Sequence, residues 1–136
     1  MSEAKARELG PLQLAFIGDA VFSLRVRVGA LAQGKGVRAM HMFASTRESA
    51  ASQANALEIL LPALTEPERE IVRRGRNAHA GHQAPRSATT AQYSASTGLE
   101  ALIGYIYLTG QEERLDFIMG NILGTQGPLD LTEDKR

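Results

Sequence analysis

At 136 residues, with 43% hydrophobic and 22% charged residues and a formal net charge of zero, the chain has the size and balance of one ordinary domain. It contains no cysteine, which excludes disulfides and thiolate metal sites, and no apolar run of about eighteen residues that would predict a membrane-spanning helix. The opening Met-Ser-Glu-Ala-Lys-Ala-Arg-Glu is polar and mixed in charge, unlike a secretory signal, so a cytoplasmic chain without membrane association is expected.

The predicted elements are all helices. Over residues 11–33, Leu14, Ile17, Val21, Leu24, Val28 and Leu31 recur at three- and four-residue steps and predict a long helix with these side chains as its buried stripe. Pro11 suits its first turn, and Gly34 with Gly36 end it. A second apolar set, Leu12, Phe16 and Ala20, is more than one core face requires and predicts a two-fold dimer packed through this helix. Residues 37–43 predict a short helix, and residues 46–61 an Ala-rich one closed by Pro62. Thr65-Glu66-Pro67-Glu68 is a capping box that opens a helix to about Arg74. Residues 75–91 hold Gly, Pro, Asn and small polar residues and predict a long exposed loop, of the kind that is often functional. Helices over 93–108 and 112–123 follow, separated by Gly110. Residues 124–136 read as a flexible tail to a core of about 9–123, and no stretch alternates with period two. The fold class expected is all-α, one domain over 1–136.

Net neutrality hides a segregation of charge. Residues 20–47 carry Arg25, Arg27, Lys35, Arg38 and Arg47 with no acid, and residues 71–99 carry Arg73, Arg74, Arg76 and Arg86 with none. Such patches can present a positive field to a polyanion; an uneven solvated surface would leave the same pattern.

Against that background two acids stand out. Asp19 is the only acidic residue between Leu9 and Arg47, inside Leu-Ala-Phe-Ile-Gly-Asp-Ala-Val-Phe, and Glu100 is the only one between Ile71 and Gln111, inside Gly-Leu-Glu-Ala-Leu-Ile-Gly-Tyr-Ile-Tyr. Carboxylates are rarely buried without a partner, so two of them on apolar helices suggest a shared cation, and oxygen ligands of this kind suit Mg²⁺. Two simpler readings stand beside this one. Thr97-Gly98-Leu99-Glu100 also matches a capping box, and Asp19 lies opposite the large-residue stripe, where it would face solvent. Gly18 and Gly104, beside these acids, suggest close backbone packing. His79 and His82 have tolerable zinc spacing without a third ligand, so solvation or RNA contact fits them better, and His41 reads as a surface residue. Tyr93, Tyr105 and Tyr107 could stack bases, although core or interface packing suits the last two better.

Phe-Ile-Gly-Asp-Ala-Val at 16–21, paired with Glu-Ala-Leu-Ile-Gly-Tyr-Ile-Tyr-Leu at 100–108, resembles the two motifs of the ribonuclease III catalytic domain. Arg-Arg-Gly-Arg-Asn-Ala at 73–78, followed by a Pro-containing loop, is similar to the Mini-III branch, which lacks a double-stranded-RNA-binding domain. The resemblance spans about residues 9–123. It implies a helical homodimer that uses Mg²⁺, held by the catalytic residues Asp19 and Glu100, to hydrolyse double-stranded RNA to 5′-phosphate and 3′-hydroxyl ends. It also implies a substrate in the precursor of large-subunit (23S) ribosomal RNA, in a pre-ribosomal or ribosomal-protein context. Arg73, Arg74, Arg76, Asn77 and Arg86 are the expected RNA contacts. One departure is visible: the wider family carries Glu at the positions of Leu12 and Ala15 and Asp at that of Thr97. These losses also suit a non-catalytic RNA-binding scaffold dimer, and a helical protein-interaction module would account for the apolar stripes alone.

Overall fold

A computed structural model describes residues 1–34, 36–78 and 89–124. In chain order the helices are α1 (Glu3–Glu8), α2 (Pro11–Ala32), α3 (Val37–Glu48), α4 (Ala50–Leu60), α5 (Glu66–Arg76), α6 (Thr90–Leu108) and α7 (Glu112–Leu123), with a 3₁₀ turn at Leu61–Ala63. The described residues contain no strand, as the all-α expectation requires, and no helix long and apolar enough to cross a membrane.

Helix α6 is the axis of the fold. From Ala95 to Ile106 nearly every residue is buried, and only Glu100 is partly open. A helix apolar on all sides must be wrapped, and α2, α4 and α5 pack around it. Fully buried Leu99, Leu102, Ile103 and Ile106 meet Leu14, Phe22 and Val26 of α2, Leu57 and Leu60 of α4, and Ile71 of α5 in one core. Each such side chain contributes about 1.5–3 kcal/mol by leaving water.

The face by which α2 enters this core differs from the predicted stripe. Its buried residues are Leu14, Ala15, Gly18, Val21, Phe22, Val26, Gly29 and Ala30, while Leu24 is 61% and Leu31 57% exposed. The physical reason lies in the partner. A Cβ on Gly18 would stand 1.7 Å from the Glu100 carbonyl oxygen, and one on Gly104 would stand 2.0 Å from that of Leu14. The two helices therefore cross antiparallel, backbone on backbone, and small residues rather than large ones mark the contact. A second crossing of the same kind joins α5 to α6, where a Cβ on Gly75 would stand 2.8 Å from Gly98 Cα.

Other boundaries also move. Helix α5 runs through Gly75 to Arg76 and α6 begins at Thr90, so both ends of the predicted 75–91 loop are helical. Helices α3 and α4 meet at Ser49, whose extended backbone (φ −67°, ψ 153°) ends one, and its hydroxyl accepts from Ser52 N to cap the other. The Thr65–Glu68 capping box forms as predicted, and Glu68 also receives Arg114 of α7 at 2.7 and 2.8 Å. Burial alone would raise the Glu68 carboxyl, but Arg114 and the Thr65 amide hold it below its ordinary range.

Helix α1 was not predicted. Ser2 caps it, and Tyr105, 2% exposed on α6, accepts a hydrogen bond from Arg7 and donates one to Glu3. Arg74 completes the attachment, donating to the backbone oxygens of Arg7 (3.2 Å), in the last turn of the helix, and Leu9 (2.8 Å), its C-cap. Arg74→Ala is expected to release α1 and lower stability by about 1–3 kcal/mol, since two charge-assisted bonds are lost. Thermal unfolding and amide exchange of residues 3–9 read this directly. Arg73→Ala, which breaks only an exposed pair with Glu70, should leave both nearly unchanged.

Candidate active site

Asp19 follows Gly18 at the α2–α6 crossing, and Glu100 is the residue whose carbonyl meets Gly18. The missing side chains at Gly18 and Gly104 let the backbones touch, and the neighbouring carboxylates are thereby brought together. Asp19 is exposed and Glu100 only partly so, yet the two are close enough for the Asp19 charge to act on the Glu100 carboxyl. Asp19 thus reaches solvent at the edge of the true α2 stripe while still facing its partner. Glu100 does not cap a helix, because Thr97 lies well inside α6 and the actual capping box is Thr89 with Gln92.

The electrostatic state of the pair is unusual. Glu100 is pushed up from its ordinary value of 4.5 to about 8, first by burial and then by the Asp19 charge, with a side-chain hydrogen bond from Gln53 acting in the opposite sense. Between those two pH values the folded chain keeps a proton on Glu100 that the unfolded chain has released. The proton's stabilising contribution is full below pH 4.5 and is lost as pH rises toward about 8. Without divalent cations, the melting temperature should therefore fall from about pH 5 to pH 8 more steeply than that of Glu100→Gln. Parallel pH profiles for the two proteins would contradict the assignment.

Two adjoining hard oxygen donors, whose like charges only a proton on Glu100 relieves, fit a small divalent cation, which would replace that proton. Among the described residues no further His, Asp or Glu joins them to make a group of three. The positions where the wider family carries acids do other work here. Ala15 is buried in the core, Thr97 is buried with its hydroxyl donating to the Tyr93 carbonyl, and Leu12 is 41% exposed. Sequence reasoning missed Gln53 of α4, which is 2% exposed and lies against Glu100. Its signal was available: Gln53, Leu57 and Leu60 form one buried stripe at helical spacing, and a Gln there asks for an explanation.

The expected RNA contacts are scattered in role. Arg73 is exposed and paired with Glu70, and Asn77 is exposed as the C-cap of α5. Arg76 lines an open cleft of about 320 Å³ with Asn55, Glu58 and Gln92. Arg74 is committed to α1. Arg86, His79, His82, Lys35 and the 125–136 tail lie outside the described residues. The basic segment 20–47 is partly neutralised across the fold, since Arg25 pairs with Asp116 of α7. Among the described residues Arg27, Arg38 and Arg76 have no acidic partner. His41 is exposed, as is Tyr107 at 51%.

Comparison with known proteins points the same way. The ribonuclease III domain family model matches residues 12–111. The chain is 49% identical to the Mini-ribonuclease 3 of Symbiobacterium thermophilum over 120 residues, covering 88% of this chain and 92% of that one. It is 46% identical to the Mini-ribonuclease 3 of Brevibacillus brevis over 106 residues, covering 77% and 78%. A crystal structure of a Fusobacterium nucleatum protein superposes with a TM-score of 0.80 at 30% identity, covering 87% of this chain and 96% of that one. With the paired carboxylates at the helix crossing, these matches establish that the chain belongs to the ribonuclease III family, in its Mini-ribonuclease III branch, and is an endoribonuclease.

Proposed function

We propose that this enzyme cuts double-stranded RNA with Mg²⁺ held by Asp19 and Glu100, as a two-fold homodimer of single-domain chains. The observation that carries the reading is the carboxylate pair at the Gly18–Gly104 crossing. When bound, Mg²⁺ supplies activation of a water nucleophile and stabilisation of charge on the leaving oxygen, giving 5′-phosphate and 3′-hydroxyl ends. The protein's part is to hold Asp19 and Glu100 on two rigid helices at the rim of the core, one open to solvent and one partly desolvated. A-form RNA offers its phosphates and 2′-hydroxyls to such a surface rather than base edges. Arg73, Arg76, Asn77 and Arg86 supply phosphate contacts at the end of α5 and beyond it, and Arg74 shapes that surface by anchoring α1.

The dimer reading is supported by the face that α2 leaves uncovered. Leu12, Phe16 and Leu24 are 41%, 79% and 61% exposed, beside a groove of about 360 Å³ lined by Ile17, Val21, Tyr107 and Leu115. Apolar residues gathered on one face in this way mark an association surface, and a two-fold dimer presents one site to each strand of a duplex. The biological substrate we propose is the 23S ribosomal RNA precursor, met in the cytoplasm within the assembling ribosome.

Incubation of the purified protein with long duplex RNA, with and without Mg²⁺, tests the activity, and sedimentation at micromolar concentration tests the assembly. Mg²⁺-dependent cutting by a dimer is expected. Binding without cutting would identify a scaffold instead, and a monomer would remove the two-strand arrangement.

A further inference from the structure

Helix α4 turns Gln53, Leu57 and Leu60 inward, and at Gln53 this places an amide where a Leu or Met would complete an apolar stripe. The side chain is 2% exposed. Its amide lies beside the Glu100 carboxyl and acts on it in the sense of an N–H donor. Gln53 Oε1 is the only buried side-chain nitrogen or oxygen among the described residues that has no hydrogen-bond partner. An orphaned acceptor of this kind is rare in a folded protein and calls for a partner such as a bound water or ion. An ionised carboxylate has no proton to donate, so the acids beside Gln53 cannot satisfy it once they hold a cation. A hydrated Mg²⁺ can, because the ion keeps several waters and each is a strong donor.

We propose that Gln53 is a positioning residue of the cation site: its N–H steadies the Glu100 carboxylate, and its Oε1 accepts a hydrogen bond from a hydration water of bound Mg²⁺. The assignment rests on the metal centre proposed above and extends it to a third helix. Residues in this position orient the direct ligands, and their loss typically weakens metal binding tenfold to a hundredfold.

The test uses Gln53→Met, which keeps length and approximate volume while removing both polar groups. Mn²⁺ is titrated into the RNA-free protein and followed by electron paramagnetic resonance. Folding is followed by thermal unfolding without metal, and cleavage of duplex RNA is measured against Mg²⁺ concentration. The variant is expected to melt at or above the wild-type temperature, because the orphaned oxygen is gone. Its Mn²⁺ dissociation constant should rise about tenfold or more. The Mg²⁺ concentration for half-maximal cleavage should rise in step, with KM for RNA at saturating Mg²⁺ unchanged. A purely structural role would lower the melting temperature and leave metal affinity alone. If Gln53→Met does not fold, Gln53→Asn withdraws the amide by one methylene and supports the same comparison. A folded variant with wild-type Mn²⁺ affinity and an unshifted Mg²⁺ midpoint overturns the assignment. If Asp19→Asn and Glu100→Gln also bind Mn²⁺ as wild type does, or wild type binds none, the metal centre itself fails and the role of Gln53 fails with it.

Discussion

Asp19→Asn and Glu100→Gln are each expected to reduce cleavage of duplex RNA by on the order of 10²–10³-fold or more while the fold survives, because either change removes one of the two charges available to hold the cation. Both substitutions preserve shape, so a loss of activity reports charge. The two should part company in stability. At neutral pH the folded chain holds Glu100 protonated whereas the unfolded chain does not, so desolvation works against folding. Glu100→Gln removes that burden and is expected to raise stability without divalent cations, by on the order of a few kcal/mol. Asp19, exposed at the rim, should give a smaller gain, because its charge adds only the second part of what raises Glu100. An inactive variant that is more stable than its parent is the mark of a site whose function is held against the interest of the fold. Gel analysis of cleavage, with thermal unfolding in chelator, measures both effects. Wild-type cutting by either variant would remove that residue from the site.

The legible and the illegible parts of this protein divide along physical lines. Capping chemistry was legible because it is local: Thr65 with Glu68 closes the start of α5 using atoms three residues apart. The bounds of α7 and the C-terminal end of α6 were legible for the same reason, since Gly110 stands between the two helices. The α2 stripe departs from the sequence pattern because side-chain size is not the cue for burial there. Leu24 and Leu31 are large and exposed, whereas Gly18, Ala15 and Ala30 are small and buried, since the partner of α2 is a backbone that leaves no room for more. Gly75 misled in the opposite direction. Read as a helix end, it is a contact point against Gly98 within a continuous helix. Helix α1 could not be read locally at all. Six residues do not sustain a helix alone, and what holds this one are Tyr105 and Arg74, far away in the chain. The site followed the same rule. Asp19 and Glu100 are visible as acids in apolar company, whereas Gln53 shows in the sequence only as a polar residue in an apolar stripe and gains its place at the site when α4 is laid against α6.

The glycine crossing makes a graded prediction that separates packing from propensity. Replacing a helical glycine with alanine gains about 1 kcal/mol of intrinsic helix stability, and Gly18 and Gly29 both lie within α2. At Gly29 the added methyl would come closest to the Leu123 Cδ1 at 3.2 Å, the tip of a flexible side chain that can move aside, and would lie in ordinary contact with the Phe43 ring at 3.9 Å. Gly29→Ala is therefore expected to be neutral or mildly stabilising. At Gly18 the methyl would meet the Glu100 carbonyl oxygen at 1.7 Å and its carbon at 2.6 Å, and at Gly104 the Leu14 carbonyl oxygen at 2.0 Å. Those atoms belong to hydrogen-bonded helix backbone and cannot rotate away, so the helices must separate by more than an ångström and open the contact among Leu14, Leu99 and Ile103. Gly18→Ala and Gly104→Ala are expected to cost about 3–5 kcal/mol, at the upper end for a single substitution. Gly75→Ala, with its closest approach of 2.8 Å to Gly98 Cα, should fall between the extremes. Because Asp19 and Glu100 sit at the crossing itself, the two severe variants should also lose cleavage at temperatures where they remain folded, and Gly29→Ala should not. Thermal unfolding paired with cleavage assays below each melting point orders the series. Equal stability of Gly18→Ala and Gly29→Ala would show that α2 and α6 do not touch at Gly18.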